Sequence, residues 1–287
     1  MKLPISYGRQ YISDEDIQAV VETLKSDYLT CGPKIPEFEQ AFCEYVNAKY
    51  SVAVCNATAA LHIAAMALGV KPGDNVICTP MTFASSANCI RFCGGNVKFV
   101  DINLQTYLLD IEKLKETLAA SPKGTYKGMV LVDFAGYPHN MEEYRKIADE
   151  YGMWILEDAC HAPGAYFIDS TGEKVYCGCG KYSDITVFSF HPVKHITTGE
   201  GGMACTQNKE YYEKMALYRT HGITHDADKL QRQDGLWYYE MQELGYNYRI
   251  TDIQAALGIS QLKRARKNVE IRRELVKRYN EAFKGIE

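Results

Sequence analysis

One stretch of the sequence concentrates reactive side chains, SFHPVKHITTGEGG at 189–202. It places Lys194 between His191 and His195, ahead of a glycine-rich tail. Three kinds of chemistry use such residues: phosphate binding by a glycine-rich loop, metal binding by a histidine pair, and covalent catalysis by a lysine amine. The order and spacing of the residues decide which of these the stretch supports.

The glycines of this stretch do not have the pattern of a nucleotide-binding loop. A P-loop has the form GxxxxGK[ST], with its lysine after the glycines, whereas Lys194 precedes residues 199–202. A dinucleotide fingerprint, GxGxxG, opens a helix after a strand, and residues 199–202 have neither that spacing nor a helical pattern after them. We therefore expect these glycines to allow close backbone passage and a turn into the next strand.

A metal site is also disfavoured. His191 and His195 have the i, i+4 spacing of two ligands on a helix, but a proline and several β-branched residues oppose a helix here. The ten cysteines are scattered, and Cys177 with Cys179 is their only close pair, whereas zinc sites built from cysteine usually have two such pairs. We predict no metal ligand, with both histidines packing near the site and the cysteines present as reduced thiols.

The elements that must position Lys194 are strands alternating with helices. Near-continuous apolar runs lie at 52–55, 76–79, 97–100, 128–132, 154–156, 185–190 and 202–205. Because helical patterns separate most of these runs, the sequence predicts an α/β fold with a mostly parallel, mixed seven-stranded sheet between helices. The last strand is expected to be antiparallel to its neighbour because only a short connection precedes it.

The ends of these strands are informative, because ligands of open α/β sheets bind at the carboxyl ends of the strands. Asn56, Ala57 and Thr58 follow the first strand at the start of a helix, which is a seat for a phosphate. Asp158 follows the fifth strand, and Lys194 follows the sixth. Each residue alone is more simply a helix cap or a surface charge, but together at one edge they predict a binding site.

The remaining functional interpretation of Lys194 is a lysine that forms an imine. Such a lysine lies in a partly desolvated rim, where burial lowers the pKa of its amine. Pyridoxal phosphate would supply the electrophile, and its ring nitrogen needs a carboxylate partner, for which Asp158 is placed. Its phosphate needs a helix N-terminus and hydroxyls, which Ala57, Thr58 and Ser189 can supply.

With these residues assembled, the sequence resembles the DegT-like nucleotide-sugar aminotransferases, which are fold type I pyridoxal-phosphate enzymes. The matching stretches are NATAALHIA at 56–64, TPMTFASSAN at 79–88, EDACHAPGA at 157–165, FSFHPVKHITTGEGG at 188–202 and GYNYRITDIQAALG at 245–258. They occur in family order and cover nearly the whole chain. The resemblance implies the large domain of fold type I with pyridoxal phosphate at the sheet edge.

The resemblance also implies a role for each residue of the site. Lys194 binds the cofactor as an imine and moves the proton, and Asp158 pairs with the ring nitrogen. Phe83, which taken alone is more simply a core residue, lies against one ring face. The implied cofactor contacts besides Lys194 and Asp158 are Ala57, Thr58, Phe83, His161, Ser189 and Asn247, and the implied substrate contacts are Tyr7, Tyr28, Leu29, Thr30 and Asn56. Asn247 is implied to act in trans, from the partner subunit of a homodimer.

Within the family, ISYGRQYISDEDIQAV at 5–20 and SDYLTCGPKIPEFE at 26–39 resemble the aminotransferases of pseudaminic acid biosynthesis. This subgroup implies transfer of an amino group from L-glutamate to C4 of a UDP-4-keto-6-deoxy-N-acetylhexosamine. One alternative is a sugar dehydratase that uses pyridoxamine phosphate, but in those relatives a histidine replaces the lysine. Two further alternatives are a non-catalytic regulator that binds pyridoxal phosphate and a nucleotide binder at the sheet rim.

Charge and length limit the partners and the organisation of the chain. A net charge of −4 and a pI of about 6.0 disfavour nucleic acid as a partner. The first residues lack the apolar run of a signal peptide and no apolar stretch approaches ~18 residues, so we expect a cytoplasmic protein without a membrane partner. The predicted parts are an N-terminal arm at 1–15, a cofactor-binding large domain at 16–250, and the helical start of a C-terminal domain at 251–287, whose remainder is expected to be missing from this chain.

Overall fold

The computed structural model describes residues 8–232, 234–235 and 237–286. The described strands are β1 (Tyr50–Val54), β2 (Asn75–Cys78), β3 (Asn96–Phe99), β4 (Tyr126–Val132), β5 (Trp154–Asp158), β6 (Tyr166–Ile168), β7 (Lys174–Tyr176), β8 (Ile185–Ser189), β9 (Gly202–Thr206), β10 (Ile223–Thr224) and β11 (Glu240–Met241). The described helices are α1 (Asp14–Leu24), α2 (Lys34–Val46), α3 (Ala57–Ala67), α4 (Ala84–Phe92), α5 (Ile111–Ala119), α6 (Met141–Tyr151), α7 (Lys209–Arg219), α8 (Asp252–Leu262) and α9 (Ala265–Ala282). None of these helices combines the length and apolar character needed to cross a membrane.

Seven of the described strands form one mixed sheet in the order β1-β9-β8-β5-β4-β2-β3. Strands β3, β2, β4, β5 and β8 run parallel, and β9 lies antiparallel between β8 and β1. The predicted strands are therefore confirmed, each within two residues at either end, as is the antiparallel direction of the last one. The sequence does not predict the hairpins β6–β7 and β10–β11, because strands of two or three residues carry no readable alternation.

Helices cover both faces of the sheet. Helices α3, α4 and α7 pack on one face, while α2 and α8 cover one half of the other face and α5 and α6 cover its second half. In β5, Ile155 and Leu156 enter clusters on opposite faces, since successive side chains of a strand point in opposite directions. The same alternation places Asp158 on the face of α3 and α4 and turns Glu157 to the other face.

The two ends of the described chain join the main body through helices. Helix α1 begins at a capping box formed by Ser13 and Asp16, so the predicted arm at 1–15 overlaps this helix. Helix α8 packs against α1 and α2, and Asp252 in its first turn accepts hydrogen bonds from the backbone N–H groups of Gly32 and Lys34 at 2.8 and 2.9 Å. A boundary between residues 250 and 251 would divide this packed body. We therefore propose that the large domain includes α8 and that a following domain would begin within the mostly exposed α9.

Candidate active site

The carboxyl ends of β4, β5 and β8 meet the amino end of α3 around a cavity of about 540 Å³. The predicted site residues that line it are Asn56, Ala57, Thr58, Phe83, Asp158, His161, Ser189 and Lys194. Four separate segments of the sequence supply these residues. The parallel strands bring the segments together because their carboxyl ends share one edge of the sheet.

The first turn of α3 forms a positive, donor-rich wall of the cavity. The side chain of Asn56 caps this helix by accepting a hydrogen bond from the N–H of Ala59 at 2.8 Å. The N–H groups of Ala57 and Thr58 also lie in this turn, where a helix has no carbonyl partner for them. The Thr58 hydroxyl lies 2.7 Å from the hydroxyl of Ser85, which adds a second side-chain donor. Such a helix end binds anions.

A glycine lets the sheet approach this helix end. Gly202 begins β9, and a Cβ added there would lie 2.6 Å from the backbone nitrogen of Ala57 and 2.7 Å from the carbonyl oxygen of Asn56. No side chain fits in that space without moving the first turn of α3. Close backbone passage, as predicted for the glycine-rich tail, is what this position requires.

Asp158 is the last residue of β5 and is only 5% exposed. Its Oδ2 atom accepts a hydrogen bond from the hydroxyl of Ser86 at 2.5 Å, and its Oδ1 atom accepts one from the backbone N–H of Cys160 at 3.2 Å. One donor on each oxygen holds the carboxylate in place at the wall of the cavity.

Lys194 lies on an irregular loop between β8 and β9. Its backbone N–H donates to the carbonyl of His191 at 2.9 Å, and no helix forms between the two strands, both of which are fully described. Burial lowers the pKa of the Lys194 amine, while the nearby Cys160 and Asp158 act in the opposite direction. A half-buried lysine with a lowered pKa is suited to covalent chemistry with a carbonyl group.

Two further side chains shape the cavity. Phe83 is 76% exposed at the start of α4, so the simpler interpretation of this residue as part of the core is wrong and its ring is free to contact a ligand. His161 also lines the cavity, and burial lowers its pKa. The loop of His161 is tightly packed, since a Cβ on Gly136, whose φ is +84°, would lie 2.6 Å from the His161 carbonyl oxygen.

Some predicted residues lie elsewhere in this chain. Asn247 is exposed and pairs through its backbone with Thr220, outside the cavity. Tyr28 lines a separate groove beside α1 and α8, the carbonyl of Leu29 accepts a hydrogen bond from the first turn of α8, and Thr30 pairs with Thr251. Tyr7 lies outside the described residues. Of the predicted substrate contacts among the described residues, the cavity therefore contains Asn56 but not Tyr28, Leu29 or Thr30.

His191, which was predicted to pack near the site, lines the cavity. The cavity also includes residues that were not predicted to belong to it, which are Leu61, Thr82, Ser85, Val132, Asp133, Phe134, Cys160, Val193 and Glu200. A usable signal existed for three of them, because Thr82 follows the second predicted strand more closely than Phe83 does, and Asp133 and Phe134 directly follow the fourth. Glu200 gives no comparable signal, since a residue of a turn can face solvent or ligand equally well.

The donor set fits pyridoxal phosphate. A helix N-terminus with hydroxyls suits the phosphate, a fixed carboxylate suits the ring nitrogen, an exposed aromatic ring suits one face of the pyridine, and a lysine amine suits the aldehyde carbon. The fold and this donor set define the class of the protein: an α/β enzyme that uses pyridoxal phosphate.

Comparison with known proteins gives the family within this class. The model of the DegT/DnrJ/EryC1/StrS aminotransferase family matches residues 10–287, and the chain belongs to this family. A UDP-4-amino-4,6-dideoxy-N-acetyl-beta-L-altrosamine transaminase of Campylobacter jejuni is 41% identical over 280 residues, which cover 97% of this chain and 69% of the relative.

Two solved structures show the same similarity. Helicobacter pylori PseC, an aminotransferase involved in the biosynthesis of pseudoaminic acid, superposes with a TM-score of 0.87 at 32% identity, over 99% of this chain and 71% of that one. The putative sugar aminotransferase Spr1654 of Streptococcus pneumoniae, in its PMP-form, also superposes with a TM-score of 0.87, at 30% identity over 98% of this chain and 73% of that one. The comparisons confirm the predicted family, the fold type and pyridoxal phosphate as the cofactor.

Proposed function

We propose that this aminotransferase transfers an amino group from L-glutamate to C4 of a UDP-4-keto-6-deoxy-N-acetylhexosamine. The observation that carries the proposal is the convergence of Lys194, Asp158 and the N-terminus of α3 on one cavity. The Campylobacter relative, named as a transaminase of a UDP-4-amino sugar, supports the choice of the sugar. The products would be a 4-amino sugar nucleotide and 2-oxoglutarate.

The proposed cofactor contacts hold both ends of the molecule. The N–H groups of Ala57 and Thr58 and the hydroxyls of Thr58 and Ser189 bind the phosphate. Asp158 pairs with the ring nitrogen, Phe83 lies against the ring, and His161 lies near the phenolic oxygen. When bound, pyridoxal phosphate supplies the electron sink and carries the amino group between the two substrates.

Lys194 has two tasks in this proposal. With pyridoxal phosphate bound, its Nζ would hold the aldehyde carbon of the cofactor, and the same atom would serve as the base that moves a proton during amino transfer. Because burial lowers the pKa of its amine, a larger fraction of Lys194 is neutral at a given pH than for an exposed lysine. A neutral Nζ would accept the proton from the α-carbon of glutamate, and the resulting ammonium would release it again within the same half-reaction. The sugar half-reaction uses the same atoms in the reverse direction.

A homodimer completes the proposed site. Asn247 is exposed and lies outside the cavity of its own subunit, so it is available to the cavity of a partner subunit. We infer that the amide of Asn247 reaches the cofactor phosphate in trans. The proposed sugar contacts Tyr28, Leu29 and Thr30 are exposed in the single subunit, which is compatible with a site shared between subunits.

The identity of residue 194 favours amino transfer over dehydration of the sugar. In the family relatives that dehydrate sugars with pyridoxamine phosphate, a histidine stands at the position of the lysine. Here Lys194 occupies that position and His195 follows it. A covalent lysine contact with the cofactor is therefore the property that separates the two reactions.

Borohydride reduction tests this proposal. The purified protein is expected to show the visible absorbance of lysine-bound pyridoxal phosphate, and reduction followed by peptide mapping should place the label on Lys194. Lys194→Ala is expected to lower turnover by at least about 10²- to 10⁴-fold, the range of general acid–base catalysis, whereas Lys209→Ala, an exposed lysine of α7, should not. Release of 2-oxoglutarate from glutamate in the presence of the UDP-4-keto sugar tests the substrates. A label on another lysine would reject the role of Lys194.

A further inference from the structure

We propose that Thr82 and Ser86 form a chain of two hydroxyl groups that positions the carboxylate of Asp158 toward the ring nitrogen of the cofactor. This inference rests on the proposed function, because it concerns the same site. It assigns Ser86 as a positioning residue that acts through Asp158, with Thr82 acting through Ser86.

The chain is defined by two short contacts. The hydroxyl of Ser86 lies 2.5 Å from Oδ2 of Asp158, across 72 positions of sequence. The hydroxyl of Thr82 lies 2.7 Å from the hydroxyl of Ser86. Ser86 is completely buried in the first turn of α4, whereas Thr82 lines the cavity. The chain therefore runs from the cavity wall through the interior to Asp158.

The chemistry of the three groups sets the direction of the hydrogen bonds. An ionised carboxylate can only accept, so the single proton of the Ser86 hydroxyl must be donated to Asp158. The oxygen of Ser86 is then an acceptor, and the hydroxyl of Thr82 donates a hydrogen bond to it. Hydrogen bonds in series polarise one another, and a hydrogen bond to a charged group is stronger than a neutral one.

The consequence is a carboxylate with fixed rotation. Oδ2 of Asp158 is held by Ser86, and Oδ1 is held by the N–H of Cys160 at 3.2 Å. Each carboxylate oxygen has two lone pairs, so one on each oxygen remains after these contacts. A ring N–H in the cavity then meets an acceptor that is already oriented and does not have to be reorganised on binding.

The arrangement of Ser86 differs from that of an ordinary serine in a helix. Serine hydroxyls inside helices commonly bond to the carbonyl one turn earlier, as Thr23 of α1 does with Ala19 at 3.0 Å. The hydroxyl of Ser86 instead leaves its helix and reaches a residue of β5. The sequence TFASSAN at 82–88 thus supplies a donor to the sheet as well as a helix start.

Cofactor affinity tests the proposal without relying on turnover. The dissociation constant of the apoprotein is measured for pyridoxal phosphate and for an analogue whose ring nitrogen is replaced by carbon. Ser86→Ala is expected to lower the affinity for pyridoxal phosphate by about 10-fold, which corresponds to the loss of a hydrogen bond to a charged group. The affinity for the analogue should change by less than about 2-fold. Thr82→Val should show the same selectivity with a smaller loss of about 3-fold.

Matched variants separate positioning from folding. Ser86→Thr keeps the hydroxyl and is expected to restore the affinity for pyridoxal phosphate to within about 3-fold of the wild type. Ser51→Ala removes another buried serine hydroxyl, which donates to the carbonyl of Glu39 at 2.9 Å, and should leave both affinities unchanged. If Ser86→Ala does not fold, Thr82→Val tests the proposal instead, because it too should lower the affinity for pyridoxal phosphate more than the affinity for the analogue.

The outcomes distinguish this inference from the proposed function. If Ser86→Ala and Thr82→Val lower the affinity for both ligands equally, or lower neither, the positioning chain is overturned. A borohydride label on Lys194 would in that case still support the proposed function. A label elsewhere would overturn the function itself, whatever the behaviour of Ser86. Selective loss of affinity for the ligand with a ring nitrogen supports both.

Discussion

Asp133 and Glu157 hold two carboxyl groups close together in the core, where their oxygens and the thiol sulfur of Cys177 all lie within 4.8 Å of one another. All three side chains are buried. The hydroxyls of Ser183 and Thr186 donate to Glu157 at 2.9 and 2.6 Å. Burial raises the pKa of both carboxyl groups, and the neighbouring charge of Asp133 raises the pKa of Glu157 further.

Stability is expected to depend on pH through this pair. The folded protein retains a proton that the unfolded chain releases between the ordinary glutamate pKa of 4.5 and the value of about 8 for Glu157. Since the folded state binds more protons in this interval, the free energy of unfolding falls as the pH rises through it. Glu157→Gln is neutral at every pH, so its free energy of unfolding should not fall in this way. Relative to the wild type, its free energy of unfolding is expected to rise by roughly 1–3 kcal/mol between about pH 5 and about pH 8, measured by denaturant melts.

The control for this prediction concerns a neighbouring histidine. Burial lowers the pKa of His139 to about 4, so it destabilises the fold as the pH falls below the ordinary histidine value. Comparison of the variant with the wild type at each pH removes most of this contribution. Parallel stability curves for the two proteins would show that the carboxyl pair does not titrate.

The charge of Asp158 is expected to tune Lys194. Burial lowers the pKa of Lys194, and the charges of Cys160 and Asp158 oppose that effect. Asp158→Asn removes one opposing charge, so the pKa of Lys194 should fall further. The change is measured by treating the apoprotein with an amine-reactive reagent at a series of pH values and mapping the labelled peptides. The pH midpoint of labelling at Lys194 reports the pKa of its amine. The midpoint of the exposed Lys209 serves as the internal control, and an unchanged or raised midpoint at Lys194 would contradict the coupling.

Gly202 is expected to be essential for the phosphate seat. Because a Cβ there would lie 2.6 Å from the nitrogen of Ala57, Gly202→Ala must displace the first turn of α3. We expect its affinity for pyridoxal phosphate to fall by at least about 10-fold, since the phosphate donors lose their geometry. Equilibrium titration of the apoprotein provides the measurement.

A second glycine variant controls for backbone effects. Gly124 has a φ of +86° with no atom within 4 Å of an added Cβ, so Gly124→Ala strains the backbone without a clash. It is expected to lower the melting temperature while leaving the affinity for pyridoxal phosphate unchanged. If Gly202→Ala behaves in the same way, the close approach to α3 is not what the phosphate seat requires.

Mixing two inactive variants tests whether Asn247 acts in trans. Lys194→Ala and Asn247→Ala subunits are unfolded together and refolded at equal concentrations. If Asn247 serves the partner subunit, each mixed dimer contains one wild-type site, so about one quarter of the wild-type activity should return. If Asn247 serves its own subunit, no site is complete and the mixture stays inactive. Wild-type protein taken through the same procedure sets the scale.

Much of the fold and the central part of the site could be predicted from the sequence. The strand runs are long and apolar enough to be recognised by periodicity, and the proline and β-branched residues around Lys194 exclude a helix locally. Asp158 and Lys194 were found together because the carboxyl ends of parallel strands share one edge. Each of these inferences needs only local backbone preferences and one general rule about sheets.

The exposure of Phe83 and the partner of Ser86 could not be predicted in this way. A phenylalanine that follows a strand packs in the core or faces a cavity according to what lies opposite, and here the described residues leave most of the side chain exposed. The hydroxyl of Ser86 meets Asp158 only because β2, the strand before α4, pairs with β4, which in turn pairs with β5. The separate location of Asn247 and Tyr28 likewise depends on how distant segments pack.

The sequence by itself thus determined the strands of the main sheet, the family and the main reactive residues of this protein, because periodicity, turn residues and strand-end chemistry depend on residues that are neighbours in the sequence. Only the tertiary structure decided that Asp158 is held by Ser86, that Gly202 must pass Ala57 without a side chain, and that Glu157 meets Asp133 in the core. These contacts join segments far apart in the chain. They follow from the order and register of the strands, which no local pattern specifies.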